Sequence, residues 1–151
     1  EISATPYIFT FKMYDWLQKD SDGRPRPINI EHGFNNLNFS RKGNVVSEEL
    51  ISRPYIYREG EGYAVVHYPT HPSHYYDVFR FDITNVLTVS TEDKVHVLML
   101  VEGDRVEVEE PGGRKSIFAY AETFIVPAKV GRYTLKNLGR GEAKVIRAAL
   151  K

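Results

Sequence analysis

The sequence contains no cysteine. That absence removes thiol nucleophiles, thiolate-bound zinc and disulfides together, and it leaves the redox compartment without a marker. There is no excess of either charge: 20 Lys+Arg stand against 20 Asp+Glu. Nucleic acids and anionic membrane surfaces are usually held by a basic surplus, so neither is an expected partner. No apolar run approaches the roughly 20 residues that a membrane-spanning helix requires. The longest, Val95 to Val101, contains His96 and has the length of a strand. The first residues carry no signal-peptide pattern and open with Glu-Ile-Ser in place of Met. The pairs Gly60/Gly62 and Gly139/Gly141 lack the third glycine and the strand–turn–helix context of a nucleotide fingerprint. No serine elbow for nucleophilic catalysis appears.

What is present suits a globular chain. Of 151 residues, 42% are hydrophobic and 26% charged, and a chain of this size buries roughly 70% of its unfolded surface without help from a metal or disulfide. From Pro54 onward, short runs of alternating apolar and polar residues recur. They cover 55–58, 63–68, 76–83, 87–91, 95–102, 106–109, 115–120, 123–126, 131–136 and 143–148. Glycine turns separate them, the clearest hairpin being Val106 to Glu109, Pro111-Gly112-Gly113 and Arg114 to Tyr120. Many short strands without a long helix predict an all-β fold, a sandwich or barrel with Phe79, Phe81 and Phe124 in its core.

The part before Pro54 differs. Ile8 to Tyr14 alternates like a half-buried strand, and Lys19 to Pro27 is a polar loop broken by Gly23, Pro25 and Pro27. Ile30, Phe34 and Leu37 share one face of a short helix from Asn29 to Leu37, with Asn29 as its cap and Glu31 at the positive end of its dipole. Ser47 to Leu50 is a weaker helical turn. A boundary within residues 50–54 gives a connector, 1–53, and a β domain, 54–151.

The order of pieces near the C-terminus resembles the second half of a cupin jelly roll: an apolar strand, a glycine turn, a hairpin, Thr123 to Ala128 ending in a proline turn, and a return strand. The metal-binding histidine usual on that last strand is replaced by Tyr133, with Asn137 four residues on. Val95-His96-Val97 supplies one histidine where a His-x-His pair is expected. Lys12-Met13-Tyr14-Asp15-Trp16, followed by Asp22-Gly23-Arg24-Pro25-Arg26-Pro27-Ile28-Asn29-Ile30-Glu31, further resembles a stretch of class I, zinc-dependent mannose-6-phosphate isomerases. His96-Val97-Leu98, Val101-Glu102-Gly103, Ala121-Glu122-Thr123, Val126-Pro127-Ala128 and Gly131-Arg132-Tyr133-Thr134 are similar to the end of the same enzymes.

The resemblance implies a cytoplasmic C-terminal portion: the last strands of a catalytic cupin, a helical connector, and a second cupin that normally binds no metal. The family's zinc is held by a Gln, a Glu and two His, all of which would precede residue 1. On that reading this chain carries no cofactor and no metal site, is inactive alone, meets its sugar phosphate through the full-length protein, and supports a homodimer. Lys12 stands at the position of the family's active-site arginine, and Ala4-Thr5-Pro6 replaces an Asn-Ser-Asp. Lysine keeps the charge but loses the planar fork of guanidinium.

Several residues are candidates for chemistry. Arg24 and Arg26 could clamp a phosphate, or pair with Asp20, Asp22 or Glu31. His67, His71 and His74 have the spacing of a helical metal set, but Pro69 and Pro72 exclude a regular helix, which favours a solvated loop. His96 reads either as a relic ligand or as a strand histidine satisfied by a neighbour. Tyr14, Asp15 and Trp16 read as structural. Two other functions stay open: a stand-alone, metal-free cupin binding a carbohydrate or protein partner, and an enzyme of different chemistry with polar groups converging around Tyr133, Arg80 or His96.

Overall fold

The computed structural model describes residues 17–25 and 27–151. The chain divides into two compact units, Glu1–Ile51 and Ser52–Lys151. Within the first, Lys19 and Pro25 form an isolated bridge across a turn, closed by Asp20, whose carboxylate accepts the Asp22 and Arg24 N–H groups at 2.9 and 2.8 Å. Helix α1 spans Ile30–Asn35. Asn29 occupies the cap position, but its side chain makes no capping bond; its amide lies 3.5 Å from the Pro27 carbonyl. The helix is shorter than the expected Asn29 to Leu37, leaving Leu37 beyond its end. The face that Ile30 and Phe34 share is not covered: they are 55% and 51% exposed. A five-residue π-helical segment, Val46–Leu50, follows where a weaker turn was expected. The predicted strand from Ile8 to Tyr14 lies outside the described residues.

The second unit is the all-β sandwich that the alternation predicts. Its strands are β1 (Tyr55–Gly60), β2 (Tyr63–Tyr68), β3 (Tyr76–Ile83), β4 (Val86–Ser90), β5 (His96–Glu102), β6 (Arg105–Glu109), β7 (Lys115–Ala119), β8 (Thr123–Val126), β9 (Arg132–Asn137) and β10 (Ala143–Leu150). They form a six-stranded sheet, β1-β2-β3-β10-β5-β8, and a four-stranded sheet, β4-β9-β6-β7. All pairings are antiparallel. Period-2 burial is clear in β4, where Leu87 and Val89 turn inward, and in β5, where His96, Leu98 and Leu100 do so. Between the sheets, Ile83, Leu98, Leu100, Val106, Leu135 and Val145 are fully buried, and Phe81 and Phe124 join them. Phe79 packs against this core only partly buried.

Tight turns set the registers. Gly60 pairs with Tyr63 across a two-residue turn in which Gly62 has φ +80° and a Cβ would meet Asn85 at 2.9 Å. That backbone suits glycine alone. Register also aligns one inward row across the whole six-stranded sheet. Tyr55 faces His67, His67 faces Phe79, Phe79 faces Arg147, Arg147 faces Leu98, and Leu98 faces Phe124. Four members are Tyr, Phe or Leu; the second and fourth are a histidine and an arginine.

Candidate functional site

That row runs into a cavity of about 240 Å³ on the inner side of the sheet. The pairing of β1 with β2 shifts between Ile56 and Arg58. A bulge of this kind lets two successive side chains serve one face, and both Tyr57 and Arg58 line the cavity. Phe79 and Phe81 from β3 form its aromatic wall, Val89 and Ser90 come from β4, and Glu92 sits on the following turn. Arg147 from β10 supplies a partly buried charge.

The Arg147 guanidinium lies 4.3 Å from the centre of the Phe79 ring and 6.0 Å from that of Phe81. Such contacts favour a cation partly removed from water. On its far side Phe79 stacks with His67, the ring centres 4.4 Å apart and the planes at 19°. His67 is itself held by Asp77, 2.7 Å from Nε2, and by the Tyr55 hydroxyl, 2.9 Å from Nδ1. Burial lowers the pKa of Arg147, and the nearby acidic groups of Tyr133, Glu92, Asp77 and Tyr57 counter it. An arginine nonetheless stays charged at any ordinary pH.

Behind the cavity, Arg147 Nη1 is 3.5 Å from His96 Nε2, and His96 Nδ1 is 2.9 Å from the Tyr133 hydroxyl. A cation beside Nε2 favours a lone pair there. The imidazole proton is therefore assigned to Nδ1, which donates to the tyrosine oxygen. Burial, followed by the charge of Arg147, pushes the His96 pKa down to about 4. Burial raises that of Tyr133. Both are neutral near pH 7, so the network orients the guanidinium without cancelling its charge.

Of the three residues around which polar groups were expected to converge, His96 and Tyr133 meet. Arg80 does not: it is paired with Asp82 through two bonds of 2.6 and 2.8 Å and with the Tyr68 hydroxyl at 2.6 Å. Arg147 takes its place. The signal for it was in the sequence, because Ala143, Val145 and Ala149 are buried and period 2 puts Arg147 on their face. His67 belongs to β2, while His71 and His74 stand in the next loop with ring centres 5.7 Å apart. Among the described residues no three His, Asp or Glu side chains are grouped to hold a metal ion. Arg24 reaches Asp20 through its backbone N–H; Lys12 and Arg26 lie outside the described residues. A second depression of about 370 Å³ lies beside Phe118 and Phe124, with Glu110 and Arg114 at its edge, 3.9 Å apart.

No protein-family model and no curated protein match the chain. Solved structures do. The mannose 6-phosphate isomerase of Bacillus subtilis superposes with a TM-score of 0.65 at 17% identity, over 89% of this chain and 38% of its own. A cupin-2 domain from Rhodospirillum rubrum gives 0.53 at 11% identity, over 66% of this chain and 69% of its own. Ectoine synthase from P. lautus gives 0.51 at 11%, over 62% and 67%. This chain thus spans about two fifths of the isomerase it resembles. At these identities the likeness establishes the fold, a cupin jelly roll. No helix among the described residues is long and apolar enough to cross a membrane.

Proposed function

We propose that this chain is the C-terminal portion of a mannose-6-phosphate isomerase-like protein, comprising a connector and the cupin that holds no metal. One observation carries the reading. The likeness to the isomerase extends over 89% of the chain, whereas likenesses to the cupin-2 domain and ectoine synthase stop at 66% and 62%. The connector, and not only the jelly roll, is thus included. The uncovered apolar side chains of that connector agree with it. Leu17, Ile28, Ile30, Phe34 and Phe39 are each more than half exposed, and exposed apolar groups gathered in one short segment mark a contact surface.

On this reading the full protein interconverts mannose 6-phosphate and fructose 6-phosphate. Its zinc is held by the preceding cupin, and the chain described here covers that cupin and supports a homodimer. Lys12 lies near the reacting sugar, and Arg24 and Arg26 near its phosphate. The test is a zinc-supplemented isomerase assay on two proteins, the 151-residue chain and the longer polypeptide encoded with it. Turnover by the longer protein alone is expected. Turnover by the isolated chain, or a zinc-loaded longer protein that leaves mannose 6-phosphate untouched, overturns the proposal.

A further inference from the structure

The six-stranded sheet holds a partly buried cation that no carboxylate pairs directly. Arg147 Nε is shielded from solvent and has no hydrogen-bond partner, although an unmet buried polar group costs about 1–3 kcal/mol and a charged one more. The carboxylates around it do not close on it. Asp77 is bonded to His67 at 2.7 Å. Glu92 lines the cavity without forming an ion pair with Arg147. His96, on the Nη1 side, is neutral and can only steady the fork.

We propose that the cavity over Arg147 binds a small oxyanion, a carboxylate or phosphate carried on a carbon frame no larger than a monosaccharide. An oxyanion in the cavity would accept from the guanidinium of Arg147 where that side chain lines it, a charge-assisted bond of the strongest class available to a guanidinium. A second guanidinium, Arg58, lines the same cavity and lies 5.6 Å from the centre of the Tyr63 ring. The rings of Tyr57, Phe79 and Phe81 offer an apolar platform for the frame that carries the charge. A volume of about 240 Å³ falls below the roughly 300–1,000 Å³ of pockets for drug-sized ligands. That volume suits the charged end of a small ligand better than a dinucleotide or a peptide.

The mouth carries a second irregularity. Thr91 O accepts from Lys94 N–H at 2.9 Å, and the two residues between, Glu92 and Asp93, have φ of +51° and +57°. Two successive non-glycine residues with positive φ are uncommon, and backbone held there stores strain that tends to gather at ligand sites. The turn holds Glu92 at the cavity, where its carboxylate is the natural competitor of an incoming anion. None of this depends on the isomerase reading.

The decisive experiment titrates the isotope-labelled 151-residue chain with glucuronate, glucose 6-phosphate, inorganic phosphate and neutral glucose at constant ionic strength. The Nε–H resonance of Arg147 and the backbone amide of Glu92 are followed by NMR. Saturable shifts of both with at least one of the two sugar acids are expected, and whichever acid binds identifies the oxyanion. Arg147→Met should weaken binding about tenfold or more while the backbone amides of the smaller sheet, away from the substitution, keep their native positions. Arg147→Lys, which retains charge but not the fork, should weaken it by a similar factor. Glu92→Gln should tighten it about twofold or more by removing the competing charge, and it serves as the readout if neither arginine variant folds. Absence of saturation by both acids, equal shifts with glucose, or undiminished binding by a folded Arg147 variant would overturn the proposal.

Discussion

His96 shows how one side chain converts burial into pH dependence. It is 1% exposed, and its pKa falls from 6.5 to about 4, first through burial and then through the charge of Arg147. In the unfolded chain the imidazole takes its proton near pH 6.5. Between these values the unfolded state binds more protons, so stability is complete above 6.5, declines as pH falls, and levels off below 4. At about 1.4 kcal/mol per pH unit the ceiling of this effect is about 3 kcal/mol. Denaturant unfolding from pH 7 to 4 should show this loss in the wild type and its absence in His96→Gln; parallel profiles would remove the assignment. The sequence allowed this much to be read in part. A histidine between Val95 and Val97 in a strand is expected inside or outside with a satisfied partner, but alternation does not say which strand of the opposite sheet approaches it. Tyr133, its actual partner, is 37 residues away.

At the scale of elements, turns do the work that cross-strand pairing alone cannot. Asn137 ends β9 and clasps the turn into β10. Its amide donates to Ile83 O at 3.0 Å and to Gly141 O at 2.5 Å, and its carbonyl oxygen accepts from Gly139 N–H at 2.8 Å. Asn137→Ala leaves three backbone groups to find new partners in a nearly closed space and should cost about 2–3 kcal/mol. Urea unfolding would register this as a lower midpoint with an unchanged slope, and a loss below about 0.5 kcal/mol would show that water replaces the clasp. The turn itself, Leu138 to Gly141, was legible from its glycines. The clasp was not, because the Ile83 carbonyl belongs to β3, far away in sequence. Helix α1 illustrates the opposite case. Its period was legible in Ile30 and Phe34, while Leu37, expected on the same face, lies past the helix end at Asn35. Whether an apolar face is covered depends on what packs against it, and all three remain about half exposed.

For the molecule as a whole, the order of strands matters more than their number. Strand positions could be read from period 2, residue by residue. The sheet order could not, because β10, the last strand, is inserted between β3 and β5. Its pairing with β3 runs from Ala143 opposite Ile83 to Leu150 opposite Tyr76, and its other edge carries β5. The larger sheet therefore has no continuous middle until the C-terminus is in place. It is also β10 that brings Arg147 to the cavity, so the fold and the candidate site are completed by the same strand. Contacts this remote in sequence close slowly, and refolding should fall in the millisecond-to-second range typical of β sandwiches. A chain ending at residue 138 would leave β3 and β5 as open edges, a known route to aggregation. It should lose the near-UV signal of its packed aromatics, unfold without cooperativity and associate in a concentration-dependent way. A truncated chain that stays monomeric and melts in one sharp transition would show that β3 and β5 can pair with something other than β10, and the insertion would then be a late addition to a sheet already formed.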